Sequence, residues 1–465
     1  MTPTSTMLTT WFGSLDAELA LRLRDRATTV LDLIPAPASA LALAERAEVQ
    51  SRHGHGWLPA SLAQGDAGLA VAHATLATTA HDPVVRQVAT GRAITFLRAA
   101  VDSTQDHAIQ ESGLCNGMTG LLLAVDAVTE AEPRFLPARQ QLLAQHLAHV
   151  EATPTLMSQA FHTDIDFDLM SGRAGTVAYL ATNCDPAAGA AALSHLVADL
   201  TWVGMREETA PHAWRWMTNR LEAPSLSLRD DEFPDDFLNA GLSHGLAGIT
   251  AALALAAARG HGGLDPAVRH VLASHVAWFR STVTHDDLGP LWPAGCAVAP
   301  SGIETPHGPP STMVAWCYGS AGIGLALLNA GRALEDPAAV ALGIAAVRGT
   351  ILRDAERQVP GPATLCHGTA GIALLAAWLT ALPGQEDMAT HVDRLARRLL
   401  AQGDLDAPLI YRDLEFGTNP IDQPGLLNGA AGVALVLASL AAPRRPRWVD
   451  TWLLQRPGTT MEETP

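Results

Sequence analysis

A four-residue motif recurs seven times along the chain and constrains its fold more than any other feature. The motif is Gly, any residue, a small residue and Gly, and an apolar run follows each copy. Successive copies are 49 to 74 residues apart, which is enough for an apolar helix, a connection and a second helix. A period of this kind is typical of repeat architectures, so we predict seven helical hairpins. The copies begin at Gly65, Gly117, Gly172, Gly245, Gly319, Gly368 and Gly429.

The two helices predicted for each repeat differ in polarity. Segments directly after the motif, such as ITAALALAAARG, are apolar nearly all round, which is typical of a helix buried on every side. Segments between the motifs, such as HVDRLARRLLAQG, carry charge on one face and favour an outer layer. The alternation predicts an all-α fold, an α/α toroid with a double ring of seven inner and seven outer helices. An open superhelix is the alternative.

We expect the whole chain, 1–465, to form one α/α-toroid domain. The seven repeats would cover about 60–440, with a helical lead-in before them and a short tail after them. The two longest intervals contain segments at about 200–237 and 281–312, which we interpret as loop or short-strand insertions. A substrate-facing lid and a solvated surface loop are both compatible with these insertions.

Composition and charge exclude several classes of protein. The chain is 48% hydrophobic, which rules out a disordered protein, and its formal net charge of −17 is the wrong sign for binding nucleic acid through phosphates. The N-terminal segment lacks the basic stretch and apolar run of a secretory signal. The apolar stretches 238–258 and 423–441 are interrupted by glycines, so no transmembrane segment is expected. We therefore predict a cytoplasmic protein.

The residues just before each motif would lie together at one mouth of the toroid. In two neighbouring repeats these residues are Cys317, Cys366 and His367. Two cysteines and one histidine leave the fourth position of a tetrahedral zinc ion open, as in a catalytic rather than a structural site. The sequence thus predicts a Zn²⁺ site, although small buried cysteines could also simply fill the turns. Cys115 has the same repeat position, but we expect it to be a core residue.

Two further side chains are predicted near this mouth. His244 precedes the motif of the repeat before Cys317, where it could act as a proton donor. Asp168, four residues before Gly172, could project into the same mouth or could equally be a helix cap or a solvated carboxylate. We interpret Asp164 and Asp166 as capping or surface charges.

The segments FDLMSGRAG, GLSHGLAG, WCYGSAG and LCHGTAG resemble the signature segments of the lanthionine synthetase C-like family, the lantibiotic or lanthipeptide cyclases. The resemblance runs from Gly65 to Gly432. It implies a seven-repeat toroid with one zinc ion bound by the two cysteines and the histidine of the mouth. It also implies that His244 is the catalytic histidine and Asp168 the active-site aspartate. The chain has Met313 where relatives often carry Arg, and Ala321 where they often carry Pro.

This resemblance implies a zinc-dependent lanthionine synthetase. Such an enzyme adds peptide cysteine thiolates to dehydroalanine or dehydrobutyrine and forms (methyl)lanthionine thioether rings. Its substrate would be a dehydrated ribosomal precursor peptide, and its partners a separate dehydratase and an exporter. The protein could then lie peripherally on a membrane-associated biosynthetic complex.

Three other functions remain open from the residues alone. One is a non-catalytic, zinc-containing peptide-binding scaffold, and the others are a glycosidase and a prenyl-transferring toroid. A glycosidase needs two opposed carboxylates across a cleft, and among the mouth positions Asp168 alone qualifies.

Overall fold

A computed structural model describes most of the chain. The described residues are 6–52, 54, 56–106, 109, 111–159, 162–206, 215, 236–259, 264–298, 304–306, 313–357, 361–415 and 417–455.

The described residues are mainly helical. The helices are α1 (Ala17–Asp32), α2 (Pro37–Gln50), α3 (Asp66–Thr79), α4 (Pro83–Asp106), α5 (Met118–Ala131), α6 (Leu136–Ala152), α7 (Asp164–Phe167), α8 (Arg173–Asn183), α9 (Ala190–Val203), α10 (Leu246–Arg259), α11 (Pro266–Thr282), α12 (Ser320–Leu334), α13 (Pro337–Arg357), α14 (Thr369–Thr380), α15 (Ala389–Gln402), α16 (Ala430–Leu440) and α17 (Trp448–Thr451).

Short strands lie between some of these helices. They are β1 (Met7–Thr10), β2 (Gly13–Asp16), β3 (Asp236–Asn239), β4 (Thr284–Asp286), β5 (Gly289–Leu291), β6 (Gly295–Val298), β7 (Glu304–Pro306), β8 (Asp413–Glu415) and β9 (Asn419–Ile421). All pairings are antiparallel: β1 with β2, β4 with β5, β8 with β9, and a three-stranded sheet in the order β3-β6-β7.

The repeat motif marks helix starts as predicted. The helices α3, α5, α8, α10, α12, α14 and α16 each begin at the residue directly after the first glycine of a motif. Their polarity also matches the prediction, since every residue of α14 and of α16 is buried. By contrast, α15 buries one face, which includes Val392, Leu395 and Leu399, while its charged residues are half-buried or, in the case of Arg397, exposed. The apolar and amphipathic helices therefore alternate along the chain.

The described chain divides into two compact units. The first contains residues 1–110, 120–142 and 358–465. In this unit α16 packs against α3, α14 and the lead-in helix α1. The indole Nε1 of Trp11 donates a hydrogen bond to the carbonyl of Ser439, 2.9 Å away, and so ties the start of the chain to α16. The lead-in helix therefore supplies the outer partner of the last inner helix.

The second unit contains residues 111–119 and 143–357. Here α8, α10 and α12 pack side by side; α9 packs against α8 and α10, α11 against α10 and α12, and α13 against α12. The insertion at about 281–312 contains short strands, as predicted, and Arg353 of α13 holds one hairpin through a bidentate pair with Asp286. Most of the insertion at about 200–237 lies outside the described residues.

Backbone hydrogen bonds join the turns that precede neighbouring inner helices. In the second unit the amide of Leu169 donates to the carbonyl of Ser243, and the amide of Leu242 donates to the carbonyl of Cys317. In the first unit the amide of Cys366 donates to the carbonyl of Leu427. Within each unit, the turn residues are therefore fixed relative to one another.

The glycines of the motif allow these turns to pack closely. A Cβ atom on Gly248, the second glycine of its motif, would lie 2.4 Å from the carbonyl oxygen of Leu242. One on Gly432 would lie 1.8 Å from the carbonyl oxygen of Leu426. Both are far below van der Waals contact, so a close approach of backbone, rather than an unusual φ, requires glycine at these positions.

Within the part of the chain that the structure describes, no single helix is long and apolar enough to cross a membrane. Only when taken together do α1 and α2 reach the length and apolar composition of a membrane span. The two helices are bent by 86° relative to each other.

Candidate active site and metal ligands

The predicted catalytic residues meet in the second unit. Asp168 lies in the turn before α8, and His244 in the turn before α10. Because backbone hydrogen bonds join these turns, the two side chains face each other, and Oδ2 of Asp168 lies 2.5 Å from Nδ1 of His244. The imidazole is thus oriented with Nε2 as the nitrogen available to a substrate.

Asp168 is held rigidly by its own turn. Its side chain is fully buried, and Oδ1 accepts hydrogen bonds from the amides of Ser171 at 2.6 Å and Gly172 at 2.9 Å. The other carboxylate oxygen remains for His244. Asp168 therefore caps a turn and also contacts His244, whereas the interpretation as a solvated carboxylate is wrong, because the side chain is fully buried.

The surroundings of His244 favour its protonated form. Burial lowers the pKa of His244, but the hydrogen bond to Asp168 and the charges of Asp168 and Asp164 outweigh burial, so the pKa is raised. The side chain retains 20% exposure, so a substrate can reach it. A protonated, partly accessible imidazole beside a fixed carboxylate is suited to donating a proton.

Asp164 is a second carboxyl at this histidine. Its side chain is fully buried, and Asp164, Asp168 and His244 each place one charged or ligand atom within 4.8 Å of the others. Burial raises the pKa of Asp164 to about 6. The interpretation of Asp164 as a surface charge is therefore wrong, whereas its Oδ1 does accept the backbone amide of Ile165 at 3.1 Å in the first turn of α7. Asp166 does cap, since it forms a capping box with Thr163.

Tyr318 is a neighbour of His244 that the sequence analysis did not single out. Its ring centroid lies 6.5 Å from that of His244, and its hydroxyl accepts a hydrogen bond from Nδ2 of Asn239 at 2.9 Å. Gly241 leaves room for the ring, because a Cβ atom there would lie 2.5 Å from it. Burial raises the pKa of Tyr318, so the hydroxyl keeps its proton. Its position directly after Cys317 was the available signal.

Cys317 lies in the turn before α12, next to this histidine turn. Its carbonyl accepts hydrogen bonds from the amides of Leu242 and Ser243. The chain then enters α12 through Gly319, whose φ of 83° is in the left-handed region that favours glycine. Met313, four residues before Cys317, has 51% exposure.

Cys366 and His367 lie in the first unit, in the turn before α14. Both offer metal-binding atoms, and these atoms lie within 4.8 Å of each other. The imidazole Nε2 of His367 lies 3.3 Å from Oδ1 of Asp413 on β8. Asp413 is almost completely buried, and the sequence analysis did not identify it, because it lies 46 residues from His367 and outside any motif.

Cys115 has a different environment, as expected. Its side chain is 1% exposed, and its Sγ lies 3.6 Å from Sδ of Met170. Burial raises the pKa of this thiol, which disfavours the thiolate that metal binding requires. Cys115 is a core residue. The five cysteines, all among the described residues, form no disulfide with one another.

The donor set of the two turns suits zinc. Cys317, Cys366 and His367 supply two soft sulfur atoms and one imidazole nitrogen, which are the ligands zinc prefers over the oxygens favoured by Mg²⁺ or Ca²⁺. The carboxylate beside His367 is also a common feature of metal-binding histidines. The residues present therefore fit a zinc ion.

Comparison with known proteins identifies relatives of this fold. The family model described as lanthionine synthetase C-like protein matches residues 56–453. Among solved structures, the chain is similar to one titled "Nisin cyclase", with a TM-score of 0.67 and 18% identity, over 86% of this chain and 93% of that chain. This likeness confirms the predicted all-α fold, an α/α toroid. No match to a curated protein sequence was found.

Proposed function

The chain belongs to the lanthionine synthetase C-like family, and we propose that it is a lanthipeptide cyclase. In this reaction a cysteine thiol of a dehydrated peptide adds to dehydroalanine or dehydrobutyrine and forms a (methyl)lanthionine ring. The observation that carries the proposal is the pair of His244 and Asp168, which provides an oriented imidazole with a raised pKa at an accessible turn.

The addition of the thiol requires a group that donates a proton to Cα of the dehydroamino acid. The S–H bond breaks, a C–S bond forms at the β-carbon, and the π electrons of the alkene move to give an enolate that must gain a proton at Cα. His244 donates this proton from Nε2, while Asp168 holds Nδ1 and stabilises the positive charge before transfer. The thiol proton then restores His244, so the peptide neither gains nor loses mass.

A hydrogen-bond donor to the enolate oxygen is also required. Relatives often have an arginine where this chain has Met313. We propose that the hydroxyl of Tyr318 supplies a hydrogen bond instead, since burial keeps it protonated and Asn239 fixes its position. It lies beside His244, where the enolate would form.

We propose that Cys317, Cys366 and His367 bind one zinc ion. Their donor chemistry and the turns they occupy support this ligand set. When bound, zinc lowers the pKa of an incoming thiol from about 8.5, so that the thiol reacts as a thiolate at neutral pH.

The setting of the reaction follows from the same proposal. The substrate is a ribosomal peptide that a separate dehydratase has already modified, and an exporter acts on the product. We propose a single catalytic domain spanning 1–465. We also place it in the cytoplasm, where its five cysteines stay reduced, whether or not it lies peripherally on a membrane-associated complex.

The experiment follows free thiols during incubation with a dehydrated, cysteine-containing peptide. The peptide encoded beside this gene is the substrate of choice. We expect the number of alkylatable thiols to fall while the mass of the unalkylated peptide stays constant, and chelation of zinc to stop this loss.

The other candidate functions give different results in the same assay. A scaffold would bind the peptide and leave every thiol alkylatable, whereas a hydrolase or prenyltransferase would change the mass. Thiol loss that continues unchanged after verified zinc removal would contradict the role of the metal.

A further inference from the structure

We propose that Asp413 is a positioning residue that holds the imidazole of His367 for metal binding. This inference rests on the proposed function, because it assigns a role toward the zinc ion of that site. The supporting observation is the contact between Oδ1 of Asp413 and Nε2 of His367, which are 3.3 Å apart.

The carboxylate of Asp413 is shielded from water and held in one orientation. Its side chain is 4% exposed, so water can satisfy little of its hydrogen-bonding capacity. Oδ1 also accepts the backbone amide of Leu414 at 2.9 Å, which fixes the rotamer. A buried, oriented carboxylate that faces a ring nitrogen favours a proton on that nitrogen. Nδ1 of His367 is then the unprotonated nitrogen that can bind a metal.

The hairpin that carries Asp413 is itself anchored. Strand β8 pairs with β9, and Glu415 at the end of β8 accepts hydrogen bonds from the hydroxyl of Ser51 at 2.7 Å and the amide of Arg52 at 3.0 Å. On β9, Asn419 donates to the carbonyl of Gln50 at 2.9 Å. These bonds tie the hairpin to the end of α2, in the same unit as His367.

A second anchor acts just after the hairpin. The side chain of Gln50 accepts the amide of Asp422 at 2.8 Å and donates to its carboxylate at 3.3 Å. Arg412, directly before Asp413, also contacts the Asp422 carboxylate at 3.1 Å. The hairpin is therefore fixed on both sides of Asp413. This rigid support is what a residue that orients a metal ligand needs.

The test measures zinc affinity by competition with a chelator, without peptide. We compare the wild type with Asp413→Asn, which has the same shape, and Asp413→Ala. Removing a carboxylate partner of a metal-binding histidine typically weakens metal binding by about 10- to 100-fold, so we expect such a loss for Ala and a smaller one for Asn. The matched control is Asp406→Asn, which removes the same charge from an exposed site seven residues earlier.

A second readout separates positioning from folding. Cobalt substituted for zinc should show a shifted visible absorption band in both Asp413 variants, and thermal unfolding of the metal-free proteins should stay close to wild type. Wild-type zinc affinity and an unchanged cobalt spectrum in Asp413→Ala and Asp413→Asn would overturn the inference.

The two proposals can fail separately. If the variants lose zinc affinity but the wild type forms no thioether, the cyclase proposal fails and the role of Asp413 stands. If the wild type cyclises and the variants bind zinc normally, the role of Asp413 alone fails. A wild-type protein that binds no zinc would contradict both.

Discussion

At the scale of single residues, a buried carboxylate contacts a histidine in each of the two units. Asp168 contacts Nδ1 of His244, and Asp413 contacts Nε2 of His367. The opposite choice of nitrogen suits the two proposed roles, because one ring has to present Nε2 to the substrate and the other has to present Nδ1 to a metal. Both carboxylates are buried, so their geometry is set by the protein rather than by water.

Replacement of His244 separates proton transfer from metal binding. We expect His244→Ala to keep its zinc, since His244 is not a proposed ligand, and to lose cyclisation by about 10²- to 10⁴-fold, as is typical when a proton-transfer group is removed. Asp168→Asn should also slow the reaction, because an amide cannot stabilise the protonated imidazole. The measurements are metal analysis and the rate of thiol loss. A rate equal to that of the wild type in His244→Ala would remove this residue from the mechanism.

The ligand set predicts one zinc ion per chain. We expect Cys317→Ala and Cys366→Ala each to abolish stoichiometric zinc, because either change leaves only two of the three protein ligands. Cys115→Ala is the matched control and should retain zinc, since that thiol packs in the core. Elemental analysis of the purified proteins measures the result, and full zinc in both ligand variants would reject the assignment.

Motif position pointed to some of the proposed site residues and missed others. His244 lies directly before a repeat glycine, and Cys317 and Cys366 each lie two residues before one, so their register alone pointed to one site. Asp164 and Asp413 lie outside that register, and only contacts between distant segments reveal their roles. A sequence gives no signal for such contacts unless a motif contains them.

At the scale of elements, close packing of the turns depends on glycine. Gly432→Ala would place a Cβ 1.8 Å from the carbonyl oxygen of Leu426, and the backbone would have to move. We expect destabilisation by about 1–3 kcal/mol, as for other overpacked sites. The measurement is the midpoint of thermal unfolding of the metal-free protein.

The control for this substitution is a glycine in open space. Gly91 is exposed within α4, and nothing lies within 4 Å of the position that a Cβ would occupy. Gly91→Ala should raise the unfolding midpoint slightly, because Ala favours the helix by about 1 kcal/mol. Similar effects of the two substitutions would show that turn packing does not explain the motif.

The sequence predicted the helices better than the connections between them. The first glycine of each motif located the start of every inner helix, since both a tight turn and an apolar run mark it. Two features were not foreseen: that α1 packs on α16, and that β8 and β9 form a hairpin. Both depend on contacts between distant parts of the chain, which local periodicity does not encode.

At the scale of the whole molecule, buried histidines join the inner and outer layers. His275 on α11 bonds through Nδ1 to the hydroxyl of Thr250 on α10 and through Nε2 to the carbonyl of Gly204, at 2.9 Å each. Burial lowers the pKa of His275 to about 4. His146 is buried in a similar way, and its pKa is also lowered to about 4.

This burial predicts a pH-dependent contribution to stability. Below pH 6.5 His275 gains a proton in the unfolded chain, whereas in the folded protein it stays neutral until about pH 4. Its contribution is therefore complete above pH 6.5 and is lost as the pH falls toward 4. Relative to His275→Gln, which does not titrate, the wild type should lose about 2 kcal/mol of unfolding free energy between pH 7 and pH 5.

Urea unfolding of both proteins at the two pH values measures this difference. Titrations at other residues affect the wild type and the variant alike, so they cancel in the comparison. A difference between wild type and variant that stays constant with pH would mean that His275 titrates normally in the folded protein.

The most direct test of the proposed function is to detect lanthionine itself. After incubation with the dehydrated peptide, the product is hydrolysed in acid, and its amino acids are separated on a chiral column with mass detection. We predict lanthionine or methyllanthionine with one diastereomer in excess, because His244 is fixed by Asp168 and donates its proton to one face of the enolate. The absence of these amino acids above a control without protein, or an equal mixture of diastereomers, would contradict the proposal.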